Sequence, residues 1–363
     1  MLVLDSHIDT PSQIFRGRNI ALDNSFGHVD FPKLSRGGVD GSFFALYTPP
    51  GVAPDAATRY ALELLACVQD TVEENAWQCA FAFSPEEILR NKREGRFSVL
   101  LGMENGAPVQ ESLPLLRLFY RLGIRYLTLT HNEDNALADS AAQGKRWGGL
   151  SPFGRSAVAE MNRLGMMIDL SHSSDDTFWQ VLEASRAPVI ASHSSCRALC
   201  SHRRNLTDEM LRALGEKGGY VGVNLYPSFL SDDFGKSPEE EALLDEADAL
   251  ESGFIRDTGN EAKRRAWEEA ASGLLKMKRP GVKEVVDHID HAVSLAGVDH
   301  VGIGTDFDGI LVPPSGLEDV SRMGSIFAEM RRRGYSEGQI ERVAGKNLLE
   351  AFCRIISYSE SAD

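Results

Sequence analysis

Residues 166–174, MMIDLSHSS, and 188–205, PVIASHSSCRALCSHRRN, decide the fold. Twice an apolar run ends in Ser-His-Ser-Ser, and enough chain for one crossover helix separates His172 from His193. Two short apolar runs joined by a helical segment make a βαβ unit with parallel strands. Both strands then point the same way, so both histidines stand at the C-terminal edge of the sheet. In α/β folds, ligands and chemistry collect at that edge.

The same pattern extends in both directions. Strands are expected at 2–9, 41–47, 97–104, 124–131, 166–172, 189–193, 220–226 and 300–306. Helices are expected at 55–77, 85–92, 113–122, 152–164, 175–184, 207–217 and 282–295, with two more, 317–333 and 336–355, closing the chain. Residues 12–40 read as a long loop rich in Gly, Arg and Asp. Residues 237–278 are charged and helix-prone, and too long for an ordinary βα loop, so they read as a helical insertion over the strand ends. Strand-then-helix order throughout predicts an α/β fold: a (β/α)8 TIM-type barrel with a helical insertion after strand seven, residues 1–363 forming one domain.

Composition narrows the function. The chain has 363 residues, 42% hydrophobic and 25% charged, with a net charge of −15. Nucleic acid and anionic membranes both call for a basic face, so neither is an expected partner. The five cysteines are Cys67, Cys79, Cys196, Cys200 and Cys353, an odd number with no CxxC. They suit free thiols in a reducing compartment. No signal peptide or membrane-length apolar run is read, so a cytoplasmic location is expected. The oligomeric state is left open, a homodimer included.

The strand ends carry the chemistry. The first strand offers His7 and Asp9, the third Glu104, the fourth His131, the fifth and sixth His172 and His193, and the eighth Asp306. His7, Asp9, Glu104, His172 and His193 exceed the ligands of one tetrahedral ion. They suit two divalent ions sharing a carboxylate and holding a hydroxide nucleophile between them. Histidine with carboxylate and no thiolate favours zinc over manganese or iron. A lone histidine is more often structural than a ligand. His28, His202, His288, His291 and His300 are read that way, His288 and His291 on a solvated helix face.

The chain resembles the membrane dipeptidase (renal dipeptidase) family of zinc peptidases, within the amidohydrolase-like metal-dependent barrels. The matching stretches are DSHIDTP from Asp5, GMENG from Gly102, TLTHN from Thr128, GLSPFG from Gly149 and IDLSH from Ile168. SHSS from Ser192, RRN from Arg203, GTDFDG from Gly304 and GLEDV from Gly316 complete the series. The resemblance implies that His7 and Asp9 hold one zinc ion, His172 and His193 a second, and Glu104 both. It makes Asp306 the acid/base, His131 the group that polarises the scissile carbonyl, and Arg204 the grip on the substrate's terminal carboxylate. The implied reaction is hydrolysis of L-Xaa-L-Xaa and L-Xaa-D-Xaa dipeptides by a metal-bridging hydroxide. An N-acyl amino acid or lactam is the alternative substrate. Three positions depart from the family pattern: Ile8 replaces an asparagine, Asn105 a glycine, and Phe229 a tyrosine of the mammalian relatives.

Overall fold

A computed structural model describes residues 1–359; the last four residues of the expected 1–363 domain lie outside the described residues. Among the described residues nine strands form the sheet: β1 (Leu4–Ile8), β2 (Gly41–Tyr47), β3 (Cys79–Phe81), β4 (Phe97–Glu104), β5 (Ile124–Thr128), β6 (Met167–Asp169), β7 (Ile190–Ala191), β8 (Tyr220–Val223) and β9 (Val301–Ile303). Eight run in the order β1-β2-β4-β5-β6-β7-β8-β9, every pairing parallel. The ends meet through a parallel bridge between Ile8 and Phe307 and a bond from the Asp306 amide to the His7 carbonyl, 3.0 Å. The result is a (β/α)8 barrel.

Fifteen α-helices surround and interrupt it among the described residues. In chain order the first eight are α1 (Thr10–Phe15), α2 (Phe31–Gly37), α3 (Pro54–Glu74), α4 (Pro85–Arg93), α5 (Leu113–Arg121), α6 (Pro152–Leu164), α7 (Asp175–Ala184) and α8 (Asp208–Glu216). The rest are α9 (Pro227–Leu230), α10 (Pro238–Ile255), α11 (Glu261–Leu274), α12 (Val282–Ala296), α13 (Gly324–Arg332), α14 (Glu337–Glu341) and α15 (Asn347–Ile356). Serine or threonine side chains cap several of them, Ser84, Ser151, Ser174 and Thr207 each accepting from the backbone amide three residues on.

Strand alternation sorts the core into two layers. Leu4, Phe43, Leu100, Tyr126, Met167, Ile190 and Tyr220, from successive barrel strands, cluster with Leu348, Phe352 and Ile355 of α15. This is the barrel interior, plugged by the last helix. The alternate residues, Phe44, Val99, Leu101, Leu127, Ile168, Val221 and Ile303 among them, join the helix-facing layer.

Four local readings need correction. Residues 12–40 are not one loop: α1 and α2 form there, each started by a proline that fits a first helical turn. The short strand β3 was missed; three residues give no usable periodicity, and it pairs only with β4. The expected helix 317–333 is a 3₁₀ turn, Val320–Arg322, followed by α13. The expected helix 336–355 breaks at Arg342–Lys346, where Gly345 leaves helical geometry against the backbone of Leu2 and Leu4. The stretch 237–278 does hold two helices, α10 and α11, which pack on each other. No helix among the described residues is long and apolar enough to cross a membrane.

Candidate active site

The seven strand-end residues converge above the β-barrel interior. Glu104 ends β4 and stands at the centre. Its Oε1 lies 3.0 Å from His172 Nε2 and 3.4 Å from His193 Nε2, while its Oε2 lies 3.6 Å from His7 Nε2. His7 Nε2 is also 3.4 Å from Asp9 Oδ2 and 3.9 Å from Asp306 Oδ1. The two carboxylate oxygens therefore face different sets of partners. Three groups with metal-ligand spacing overlap here: His7, Glu104 and His193; Glu104, His131 and His172; His7, Asp9 and Asp306.

His7 reaches this ring because β1 is irregular. Asp5 pairs with Ser42 but Ile8 with Phe44, so β1 carries one extra residue between them. Such a bulge re-aims side chains. Ser6 points inward, to the carbonyls of Ser192 and Ile303 at 2.5 and 2.9 Å. The extra residue turns His7 inward as well, and Ile8 joins the helix-facing core. Ile8 is thus remote from the ligand atoms and its replacement of asparagine leaves them undisturbed.

Three of the four imidazoles are held by their Nδ1 atoms: His7 by the Tyr126 hydroxyl at 2.7 Å, His172 by Asn132 Oδ1 at 3.2 Å, His193 by Ser192 Oγ at 2.7 Å. That leaves the three Nε2 atoms facing one another and Glu104. His172 and His193 Nε2 are only 3.0 Å apart. His7 Nε2 and Asp9 Oδ1 are buried with no hydrogen-bond partner. Buried polar atoms are rarely left unpaired. Orphaned nitrogen and oxygen atoms converging on a shared carboxylate suit divalent cations, and the donor set fits them.

The electrostatics agree with that use. Burial, reinforced by the Arg204 charge, holds His172 well below the ordinary histidine value; burial and then His7 do the same for His193. Both imidazoles are neutral and able to donate a lone pair. Burial opposes a proton on His7, but the Glu104 and Asp9 carboxylates overcome it and raise His7 well above its usual value. Asp9 and Asp306 are each pushed up to about 6, first by burial and then by a neighbouring carboxylate. Asn224 Nδ2 donates to Asp306 Oδ2 at 2.8 Å, leaving Oδ1 toward the ring. His172 and Asp306 both take left-handed backbone, φ 67° and 62°, where non-glycine residues are strained.

The ring lies in a cleft. His131 lines it beside Tyr47 and His172, with ring centroids 4.7 and 4.3 Å away. Burial and Arg204 lower His131 to about 3, so it is a neutral N–H donor at ordinary pH. Arg204 is buried; its guanidinium donates to Ser194 Oγ and the His193 carbonyl, and its Nε has no partner. Phe229, the residue in place of tyrosine, sits under that guanidinium, 5.4 Å from its centre. Asn105, in place of glycine, has φ 77°, and its side chain binds the Thr48 carbonyl and the Ala107 amide. Asparagine tolerates the left-handed region better than most residues, so the exchange fits. The insertion supplies one wall through Asp248, Glu251, Ser252, Ile255 and Arg256, with Glu251 bound to Arg16 at 3.0 Å.

The family model described as membrane dipeptidase (peptidase family M19) matches residues 1–362. The chain belongs to the membrane dipeptidase family. It is a metal-dependent hydrolase of small peptides. Its relatives include the dipeptidase verJ of Clonostachys rogersoniana, 32% identical over 96% of this chain and 82% of that protein. Among solved structures, the probable dipeptidase PvdM from Pseudomonas aeruginosa is 30% identical, with a TM-score of 0.84 over 99% of this chain and 96% of that one. A metallopeptidase from Rhodobacter sphaeroides, liganded with a phosphinate mimic of the dipeptide L-Ala-D-Ala, is 26% identical, with a TM-score of 0.81 over 98% and 99%.

All seven predicted strand-end residues and Arg204 fall in or beside this cleft. The histidines set aside as structural stay outside the ring, but one environment was misjudged. His288 is buried, not solvated: its Nδ1 accepts from the Cys196 amide at 3.0 Å and its Nε2 faces the Leu230 carbonyl at 3.2 Å. The supporting residues Tyr126, Asn132, Asn224 and Asp169 were missed. They carry no ligand signature of their own and act through contacts far apart in sequence.

Proposed function

We propose that this protein is a binuclear zinc dipeptidase acting on dipeptides with a free C-terminal carboxylate. The observation that carries the reading is the division of Glu104, one oxygen toward His172 and His193, the other toward His7. His7 and Asp9 would hold one ion, His172 and His193 the other, and Glu104 both. When bound, such a pair supplies Lewis acidity and lowers the pKa of a nearby water.

The chain's own residues do the rest. Arg204 binds the terminal carboxylate with its planar fork, an arrangement suited to two oxygens. His131 donates its N–H to the scissile carbonyl oxygen, where negative charge develops. Asp306 Oδ1 takes the proton of the attacking water and returns it to the leaving amine; a pKa near 6 suits both halves of that task. The α10 wall closes the cleft over the side chains. The Rhodobacter relative binds an L-Ala-D-Ala mimic, which supports extending the substrate range to L-Xaa-D-Xaa. Five unpaired cysteines suit a reducing, cytoplasmic setting.

The test is metal-dependent hydrolysis of L-Ala-L-Ala and L-Ala-D-Ala. Chelated protein should be inactive and regain activity with two equivalents of zinc. Full activity at one equivalent would remove the binuclear reading. Cleavage of N-acetyl-alanine in preference to either dipeptide would replace the substrate class.

A further inference from the structure

Asp169 is a fully buried carboxylate at the end of β6 that no step above uses. It accepts four hydrogen bonds, from Thr128 Oγ1, the Ser171 amide, the Ser192 amide and Ser192 Oγ. Two arms leave it. Ser192 Oγ donates to Asp169 Oδ2 at 2.6 Å, which turns its lone pairs toward His193 Nδ1, 2.7 Å away. His193 then carries its proton on Nδ1 and keeps Nε2 free. This is the carboxylate-supported orientation that raises the basicity of a ligating imidazole. The second arm runs through the Ser171 amide. Ser171 Oγ accepts from the His193 amide at 3.0 Å and meets Ser194 Oγ at 3.2 Å, and Ser194 Oγ accepts from Arg204 Nη1 at 3.2 Å.

We propose that Asp169 is a positioning residue that sets His193 and Arg204 in register through these two serine arms. The proposal rests on the reading of His193 as a ligand and Arg204 as the carboxylate grip. It goes beyond that reading: one buried carboxylate couples metal retention to substrate binding. Behind His7 the Tyr126 phenol meets Nδ1, and the buried Asp5 carboxylate accepts from the backbone amide.

The test compares Asp169→Asn, Ser192→Ala and Ser194→Ala. Zinc affinity is read by chelator competition, and KM for a dipeptide is read at saturating zinc. Ser192→Ala should weaken zinc binding roughly 10- to 100-fold, the usual cost of losing such a support, with KM nearly unchanged. Ser194→Ala should raise KM about three- to tenfold, the scale of one hydrogen bond, with zinc affinity unchanged. Asp169→Asn should do both. If Asp169→Asn fails to fold, the two serine variants decide, and absence of either effect overturns the proposal. His193→Ala and Arg204→Ala are the controls. If they lose zinc and KM as expected while folded Asp169→Asn keeps both, the proposal falls and the functional reading stands. If the controls themselves behave as wild type, both fall.

Discussion

Arg204→Ala should remove substrate recognition without removing the metal site. Arg204 is buried, with 7% of the residue's surface exposed, and burial lowers its pKa to about 10, so it stays charged. Two of its contacts are internal, to Ser194 Oγ at 3.2 Å and the His193 carbonyl at 3.1 Å, while Nε is unpartnered. A substrate carboxylate supplies the missing acceptor. Losing one member of a buried charged pair costs about 3–5 kcal/mol. At about 1.4 kcal/mol per decade, kcat/KM should fall roughly a hundredfold to several thousandfold. The assay is a cycle of wild type and variant against a dipeptide and its C-terminal amide, with metal content measured in parallel. Wild type should lose most of its activity on the amide, and Arg204→Ala should discriminate little between the two substrates. Lysine should rescue only in part, because a point charge replaces a fork. Equal losses by the variant on acid and amide would refute the assignment, because Arg204 would then act by packing on Phe229 or by its charge on the histidines.

Three further outcomes follow from named contacts. Asp306→Asn should retain metal and lower kcat about 10²- to 10⁴-fold, the range of general acid–base catalysis; steady-state kinetics beside metal analysis checks it, and near-normal kcat refutes the role. His288 is held neutral by burial, its pKa lowered from 6.5 to about 4, so its contribution is whole above about pH 6.5 and is lost as pH falls toward 4. That shift corresponds to at most about 3 kcal/mol, and His288→Gln should flatten that part of the stability–pH curve in denaturant titrations. Arg16→Ala should free Glu251 and loosen α10 from the barrel, seen as faster proteolysis within 238–274 and a higher KM, with kcat little changed.

Much of the candidate site was legible because metal-type residues cluster where apolar runs stop. His172, His193 and Glu104 announce themselves by ending such runs. The structure places the histidines a few residues beyond the last paired residue, since the short strands β6 and β7 pair only over Met167–Asp169 and Ile190–Ala191. Arg204 was legible only through its motif; nothing in a basic pair says which arginine is buried. Residues 12–40 were misread because Gly, Arg and Asp hide the short helices α1 and α2, whose stability comes from packing rather than propensity.

The sequence by itself determined the parallel barrel order, the metal-type residues at its rim and the family. Those depend on local periodicity and on which residues lie together in the chain. Tertiary structure alone decided three things. It inserted one extra residue in β1, against the alternation, to bring His7 inward. It drew Thr128 of β5, Asp169 of β6 and Ser192, just beyond β7, into one hydrogen-bonded group behind His193. It buried His288 beneath Cys196 and Leu230. Each is a contact between residues distant in the chain, set by how packed layers meet and by the need of every buried polar group for a partner.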